Sequence, residues 1–514
     1  LNDAQATPHG PQPARPRVTA LFISVFVIAT CGLVYELIAG ALASYLLGDS
    51  VTQFSTVIGV YLFSMGVGSF LSRYVRKHLL SVFIRVEFLI GLVGGCSAAL
   101  LFVCFEYVAW FRVVLYGTVM LTGILVGLEI PLLMRILRAH VAFTDLVSKV
   151  FTFDYIGALL ASLLFPLVLV PYLGLVRSAF LFGILNALVG LWALHIFRAE
   201  IRALAALRAA GIGVVLALGI GFAWSDAIVG FAEAANYPGT VLYARSTPYQ
   251  RIVITQDYED LRLFLNGNLQ FSSRDEYRYH ESLVHPGLAA IKEPKHVLVL
   301  GGGDGLALRE ILKYPVVDSI LLVDLDGEMT RLFSHNQRLA ALNRHAFASP
   351  KVRVVNADAF LWIKNNQRLF NFIVIDFPDP GNYSIGKLYS TAFFKLVYGA
   401  LAPGGLVVVQ STSPWVARKS YWCVNATLQQ VGFNTTPYHA YVPAFGEWGF
   451  LLAHKETYRL PENFPQDLQF VNAETLQQML QFPPDMGPVP VAVNRLNNQA
   501  LVHYFEAEWQ HYAH

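Results

Sequence analysis

Val297-Leu298-Val299-Leu300-Gly301-Gly302-Gly303-Asp304-Gly305 is the stretch on which the reading of this chain turns. Four apolar residues in a row fit a strand buried on both faces. The glycines then turn the chain, and Leu308, Ile311 and Leu312 fall at helical spacing after them. The unit recurs downstream. Ile320-Leu321-Leu322-Val323 ends in Asp324, and Val352-Arg353-Val354-Val355 is followed by Asp358. Phe372-Ile373-Val374-Ile375 ends in Asp376, and Leu406-Val407-Val408-Val409 ends in Gln410. Strands that alternate with helices predict a parallel sheet covered on both faces, a Rossmann-like α/β domain. Ligands of such sheets bind beyond the carboxyl ends of the strands. Asp304, Asp324, Asp358 and Asp376 all sit at those ends or just past them.

A glycine-rich turn alone is weak evidence of a ligand. Joined to an acid at the end of the next strand it indicates a nucleoside, because the glycines admit the ligand and the acid bonds ribose hydroxyls. A dinucleotide would place its pyrophosphate on the turn, where Asp304 repels it. A sulfonium nucleoside, cationic and free of phosphate, suits this turn better. The plainer reading makes these acids helix N-caps, which Asp favours; that accounts for one of them and not for the set.

Working outward, residues 240–290 predict a small antiparallel β-domain. Arg251-Ile252-Val253-Ile254-Thr255, Leu261-Arg262-Leu263-Phe264-Leu265 and Leu269-Gln270-Phe271 read as strands. Asn266-Gly267 between the last two is a type I′ hairpin signal. The Rossmann-like domain spans 291–456, and a Pro-, Gln- and Asn-rich tail, 457–514, packs on it.

The chain as a whole is 55% hydrophobic and 14% charged, against about 25% charged in soluble proteins. The deficit lies before residue 240. Seven apolar runs there, roughly 19–47, 51–72, 82–104, 108–134, 150–171, 176–197 and 204–224, have the ~20 residues a membrane helix needs. They form a bundle over 18–225, with the lipid bilayer as partner and small residues (Gly66, Gly68 and Ser69; Gly91, Gly94 and Gly95) for close packing. The alternative is a buried helical core of a soluble protein. Residues 1–17, polar and Pro-rich, are expected to be disordered. The first run is too long for a signal peptide, and further spans follow it, so it is read as retained. Arg15, Arg17, Arg73, Arg76, Lys77, Arg135, Arg138, Lys149, Arg198, Arg202 and Arg208 fall on one side, and little beyond Arg112 and Arg177 on the other. The positive-inside rule then places the N-terminus in the cytoplasm and, after seven spans, the C-terminal half outside. Glu36, Glu129 and Asp154 lie within apolar runs. Glu36 is the membrane carboxylate candidate, with a cationic amine as its natural partner.

A net charge of +2 and the lack of a basic stripe speak against nucleic acid. Cys31, Cys96, Cys104 and Cys423 have no metal or disulfide spacing, so no metal site is expected.

At these residues the sequence resembles the spermidine synthase family, specifically its membrane-bound bacterial branch, over roughly 245–455. The motifs are Tyr249-Gln250, Asn266-Gly267 with Gln270, Asp275-Glu276-Tyr277, Tyr279-His280-Glu281, His285-Pro286, the GGGDG turn, Val323-Asp324, Asp358-Ala359 and Asp376-Phe377-Pro378-Asp379-Pro380. The resemblance implies aminopropyl transfer from decarboxylated S-adenosylmethionine, a co-substrate, to a putrescine-like amine, with no cofactor and with a homodimer as the expected assembly. It assigns the donor to Gln250, Gln270, His280, Gly301, Gly303, Asp304, Asp324, Asp358 and Ala359. It makes Asp376 the general base, lets Asp379 bind the acceptor, and has Tyr249 orient it. The loop Gly381–Ser390 is placed to close over substrate. Two departures stand out. The family's DSSDP is DFPDP here, which predicts a less polar acceptor side, and the turn ends in Leu306 instead of a further glycine. The aromatic segment 441–450 offers only Tyr441 as a late acceptor-side tyrosine. The competing functions are an S-adenosylmethionine-dependent methyltransferase on the same fold and a polyamine transporter with a ligand-sensing soluble domain.

Overall fold

The computed structural model describes residues 15–47, 50–108, 110–138, 143–201, 203–234 and 237–512. Most of the segment expected to be disordered, and Arg202, lie outside them. The chain divides into two compact units, Leu1–Pro238 and Gly239–His514.

The first unit is helical. Among the described residues six helices are long and apolar enough to cross a membrane: Leu21–Ser44, Thr52–Tyr74, Leu79–Phe105, Phe111–Leu137, Asp145–Ile196 and Leu204–Ala223. Asp145–Ile196 contains both the fifth and the sixth run read from the sequence. Its 52 residues would reach about 78 Å at 1.5 Å per residue, over twice the ~30 Å of hydrocarbon. The stretch is broken inside. A π-helical segment with Pro166 and Pro171 leads to Gly174, whose φ of 73° and ψ of 175° are not helical. Both parts touch the first helix, but only the part after Gly174 packs closely on the third. Gly157 lies against Phe26 and Thr30 of the first helix, whereas Gly183 abuts Gly91 and Gly95 of the third. A Cβ on Gly91 would stand 2.7 Å from the Gly183 carbonyl oxygen, so backbone meets backbone there. Gly68 and Gly127 meet the facing helix in the same way, whereas Gly66 faces open space. Phe63, Leu159, Leu216 and Ile220 are each more than half exposed, while Glu87, Glu129 and Asn186 are buried. Large apolar side chains exposed around a core that is itself apolar but encloses carboxyl groups are not the surface of a soluble helical protein, and with the six long apolar helices they are the features of a multi-pass membrane protein. The unit ends in a helix of 10 residues, Ser225–Ala234, half the length of a span.

The second unit opens with four antiparallel strands, β1 (Thr240–Ser246), β2 (Arg251–Asp257), β3 (Asp260–Leu265) and β4 (Asn268–Ser272), paired in chain order. Asn266 and Gly267 both have positive φ, 51° and 84°, as a type I′ turn requires. After the helix Glu276–Leu288 come β5 (His296–Gly301), β6 (Ser319–Asp324), β7 (Val352–Asn356), β8 (Phe370–Asp376), β9 (Leu401–Gln410), β10 (Asn434–Val442) and β11 (Gly446–His454). Their order in the sheet is β10-β11-β9-β8-β5-β6-β7. β5 to β9 pair in parallel; β11 and β10 join antiparallel at the β9 edge. The chain leaves β5 toward β6 on one side and returns to β8 on the other, so the crevice of a doubly wound sheet opens between β5 and β8.

Leu306 lies in the core with Ile252, Ile254 and Phe333, where a further glycine could not contribute apolar contact. The tail is tied to the sheet domain. The Glu281 carboxylate accepts the backbone N–H groups of Gln469, Phe470 and Val471. Buried Asn494 donates to the Gly386 carbonyl at 2.9 Å.

Candidate active site

Parallel register puts Gly301 of β5 directly beside Asp376 of β8. The glycine turn then runs against two carboxyl groups. Gly301 has φ 84°, and a side chain on it would collide with the Asp376 backbone. A Cβ on Gly302 would lie 3.2 Å from Asp376 Oδ2, and one on Gly303 would lie 2.7 Å from Asp324 Oδ2. The glycines therefore let the turn touch the acids at the ends of β6 and β8.

Four carboxyl groups gather here. Asp304 Oδ1 accepts the Leu306 N–H at 2.9 Å, and Asp324 Oδ1 accepts the Asp326 N–H at 2.8 Å. Asp376 Oδ1 accepts the Tyr279 hydroxyl at 2.6 Å. Asp379 Oδ1 is shielded and has no hydrogen-bond partner among the described residues. All four keep some accessible surface, so their desolvation is that of a cleft wall and not of a sealed core. Burial pushes Asp304 above the usual carboxylate range, opposed by His280. Burial also raises Asp324 to about 7, with the charges of Asp326 and Asp304 adding. Asp376 rises to about 6 through burial and the charge of Asp304, with His280 and Tyr279 pulling it back. Burial brings Asp379 to about 7, against the Gln410 and Thr412 side chains.

His280 backs this cluster. Its Nδ1 lies 2.8 Å from both the carbonyl and the carboxylate of Glu276. Burial alone would lower its pKa; Glu276, Asp304 and Asp376 outweigh that and hold it above the usual value. Glu276 is in turn gripped by both terminal nitrogens of Arg309, at 2.7 and 2.9 Å.

Other residues singled out in the sequence stand differently. Asp358 caps the helix Ala359–Asn365 through the Leu361 N–H and pairs with Lys387 Nζ at 2.9 Å. Burial opposes ionisation there, but Lys387 and the Leu361 N–H hold it below the usual carboxylate range. This is the N-cap that Asp favours, and Ala359 is the first residue behind it. The Gln250 amide donates to Asp326 at 3.0 Å, and Gln270 to the carbonyl of Asn268 at 3.1 Å. Tyr249 stands on the turn between β1 and β2, 55% exposed; the tyrosine hydrogen-bonded to Asp376 is Tyr279. Phe377 does not make the cleft less polar. It points into the core against Tyr389 and Phe393, because alternate residues at a strand end face opposite sides. Tyr441 is 52% exposed. The β10–β11 hairpin instead brings Phe445 and Trp448 around Tyr279, with ring centroids 6.2 and 6.5 Å away.

Two site residues escaped the sequence reading. Tyr279 was visible only as part of a motif. Gln410 is buried at the end of β9; its amide nitrogen donates to the Phe377 carbonyl and the Tyr389 hydroxyl, and its oxygen accepts from Trp448 at 3.2 Å. The available signal was a polar residue closing the apolar run Leu406–Val409, at the strand end where ligands bind.

The chain is similar to known proteins. Residues 276–464 match the spermine/spermidine synthase domain. Polyamine aminopropyltransferase 1 of Ralstonia nicotianae is 56% identical over 508 residues, which is 97% of each chain. The polyamine aminopropyltransferase of Leptospira interrogans is 52% identical over 491 residues, 96% of this chain and 99% of that one. The crystal structure of spermidine synthase from Thermotoga maritima superposes with a TM-score of 0.44 at 25% identity, covering 48% of this chain and 85% of that one. The chain belongs to the spermidine synthase family. Its activity is polyamine aminopropyltransferase activity of the spermidine synthase kind, here in a chain with an apolar helical unit ahead of the enzyme.

Proposed function

We propose that the second unit transfers the aminopropyl group of decarboxylated S-adenosylmethionine to a putrescine-like di- or polyamine, giving a spermidine-like product and 5′-methylthioadenosine. The observation that carries this reading is the group of four carboxyls, Asp304, Asp324, Asp376 and Asp379, around one glycine turn. The site suits two cationic substrates. Asp324 meets the ribose hydroxyls. Asp304 meets the ammonium that the decarboxylated donor presents with no carboxylate beside it. A methyltransferase would have to seat the carboxylate of S-adenosylmethionine against Asp304.

Asp379, ionised above about 7, binds the acceptor ammonium. Asp376, ionised above about 6, takes a proton as the amine attacks. A free amine of this kind is protonated at neutral pH, with a pKa near that of lysine, about 10.4, so a base within reach is needed. The amine lone pair forms the C–N bond, the C–S bond breaks, and its electron pair neutralises the sulfonium as methylthioadenosine leaves. Tyr279 and Gln410 fix the two sides of the acceptor cleft. The loop that follows Asp379, pinned through Gly386 to Asn494, forms its cover.

The test is turnover by the full chain with the decarboxylated donor and a panel of di- and triamines, with products read by mass. Product from a diamine supports the reading. Methyl transfer from S-adenosylmethionine, or ligand binding without turnover, overturns it.

For the first unit we propose seven crossings, with Asp145–Ile196 turning at Gly174, the N-terminus in the cytoplasm and the enzyme outside. The Lys and Arg bias between spans supports this.

A further inference from the structure

The apolar bundle encloses a small group of polar side chains. Glu87 on the helix Leu79–Tyr107, Glu129 on Phe111–Leu137 and Asn186 on Gly174–Ile196 are 0%, 1% and 0% exposed. The Asn186 amide donates to Glu87 Oε2 at 3.0 Å and to Glu129 Oε1 at 3.4 Å, and its oxygen accepts the Tyr35 hydroxyl at 3.4 Å. Both amide hydrogens are thereby used. Glu87 Oε1 is left fully buried with no donor, although the two carboxyl groups are within hydrogen-bonding reach of each other. Neither forms an ion pair among the described residues.

Two ionised carboxylates cannot answer this geometry. Each is an acceptor only, so their contact becomes a hydrogen bond only when one carries a proton. Leaving both charged away from water carries the desolvation cost of two ions, with mutual repulsion added. We propose that Glu87 and Glu129 share one proton and form a proton-binding site inside the bundle, held by Asn186. Binding takes the pair from a charge of −2 to −1, as an O–H of one carboxyl donates to the orphaned oxygen of the other. A larger cation fits less well, because Asn186 turns its N–H groups toward the pair, and donors repel a cation. The titratable neighbours are Cys31 and Tyr35 on the first helix, Tyr61 on the second and Asp154 on the fifth, with Glu36 next to Tyr61. The bundle thus stores a protonation state in addition to anchoring the enzyme.

Infrared spectroscopy of the full chain in detergent tests this through the C=O stretch of protonated carboxyls. The double variant Glu87→Gln with Glu129→Gln should lose the absorption of one carboxyl equivalent relative to the parent. A loss of zero means both groups are ionised, and a loss of two means each holds its own proton; either result overturns the shared site. Sodium, potassium or putrescine that abolishes the band in the parent would also overturn it, by showing that the pair takes a cation instead. Should the double variant fail to fold, Asn186→Ala serves. Removing its donors must shift the frequency of the same band, and an unchanged spectrum sinks the proposal. Because the readout is not catalysis, this can fail while the aminopropyl-transfer reading stands.

Discussion

The Tyr279 hydroxyl donates a 2.6 Å hydrogen bond to Oδ1 of Asp376. That bond favours the ionised carboxylate and so opposes the burial and the Asp304 charge that raise Asp376 to about 6. In the proposed mechanism turnover needs Asp376 ionised, so the rate should climb as pH rises through about 6. In Tyr279→Phe the stabilising donor is gone, the carboxyl titrates higher, and the acidic limb of kcat must move to higher pH. The loss of orientation should cost at most about 10²-fold in kcat, the low end of what one positioned group contributes to proton transfer. An acidic limb that stays in place would reduce Tyr279 to a packing residue.

Asp376→Asn should lower kcat by about 10²–10⁴, the range for loss of a general base. Asparagine still accepts from Tyr279, so the cleft keeps its shape and calorimetry should find donor binding close to that of the parent. Turnover near the parent level would take Asp376 out of the mechanism.

Asp304 allows a cleaner charge test. Its Oδ1 holds the Leu306 N–H, a bond that asparagine can keep. The parent should bind the decarboxylated donor more tightly than S-adenosylmethionine, and Asp304→Asn should narrow that gap with the turn intact. Equal affinities for both ligands in the parent would bring back the methyltransferase reading.

What could be read from the sequence, and what could not, divides along physical lines. Apolar runs ending in Gly301, Asp324 and Asp376 announced both the strands and the ligand side of the sheet, because buried parallel strands have few other ways to be written. Asn266-Gly267 announced its turn because both residues need positive φ. The edge strand β10 and its inner neighbour β11 went unread; Asn434–Val442 mixes polar and apolar residues as an edge permits. Asp358 looked like its neighbours in sequence, yet it caps a helix and pairs with Lys387; whether an acid faces the ligand or its own helix depends on which donors lie near it in space. Tyr279 and Trp448 meet across 169 residues of chain, and no local pattern reports that. Glu87 was overlooked beside Glu129 because its apolar run gave no sign that the two helices bring them together.

The last expectation concerns the side of the membrane, where one glycine decides parity. If Asp145–Ile196 crossed once, six crossings would return the enzyme to the side of the N-terminus. At about 78 Å the stretch is too long for one crossing, and Gly174, with φ 73° and ψ 175°, interrupts it. Seven crossings then place the enzyme opposite the N-terminus. The charge bias gives the side expected. Arg73, Arg76, Lys77, Arg135, Arg138, Lys149, Arg198 and Arg208 share one face. On the other, Arg177 is paired with Asp226 at 2.5 Å, which leaves Arg112. With the positive face in the cytoplasm, the enzyme is expected outside, and its donor and amine would then have to come across. That would give Glu36 a role as a station for cations. A reporter fused after His514 reads the answer. Alkaline phosphatase should be active there and green fluorescent protein dark. The reverse pattern would mean that the chain does not turn at Gly174 or that another segment crosses, and the bundle would then be an anchor and not a route.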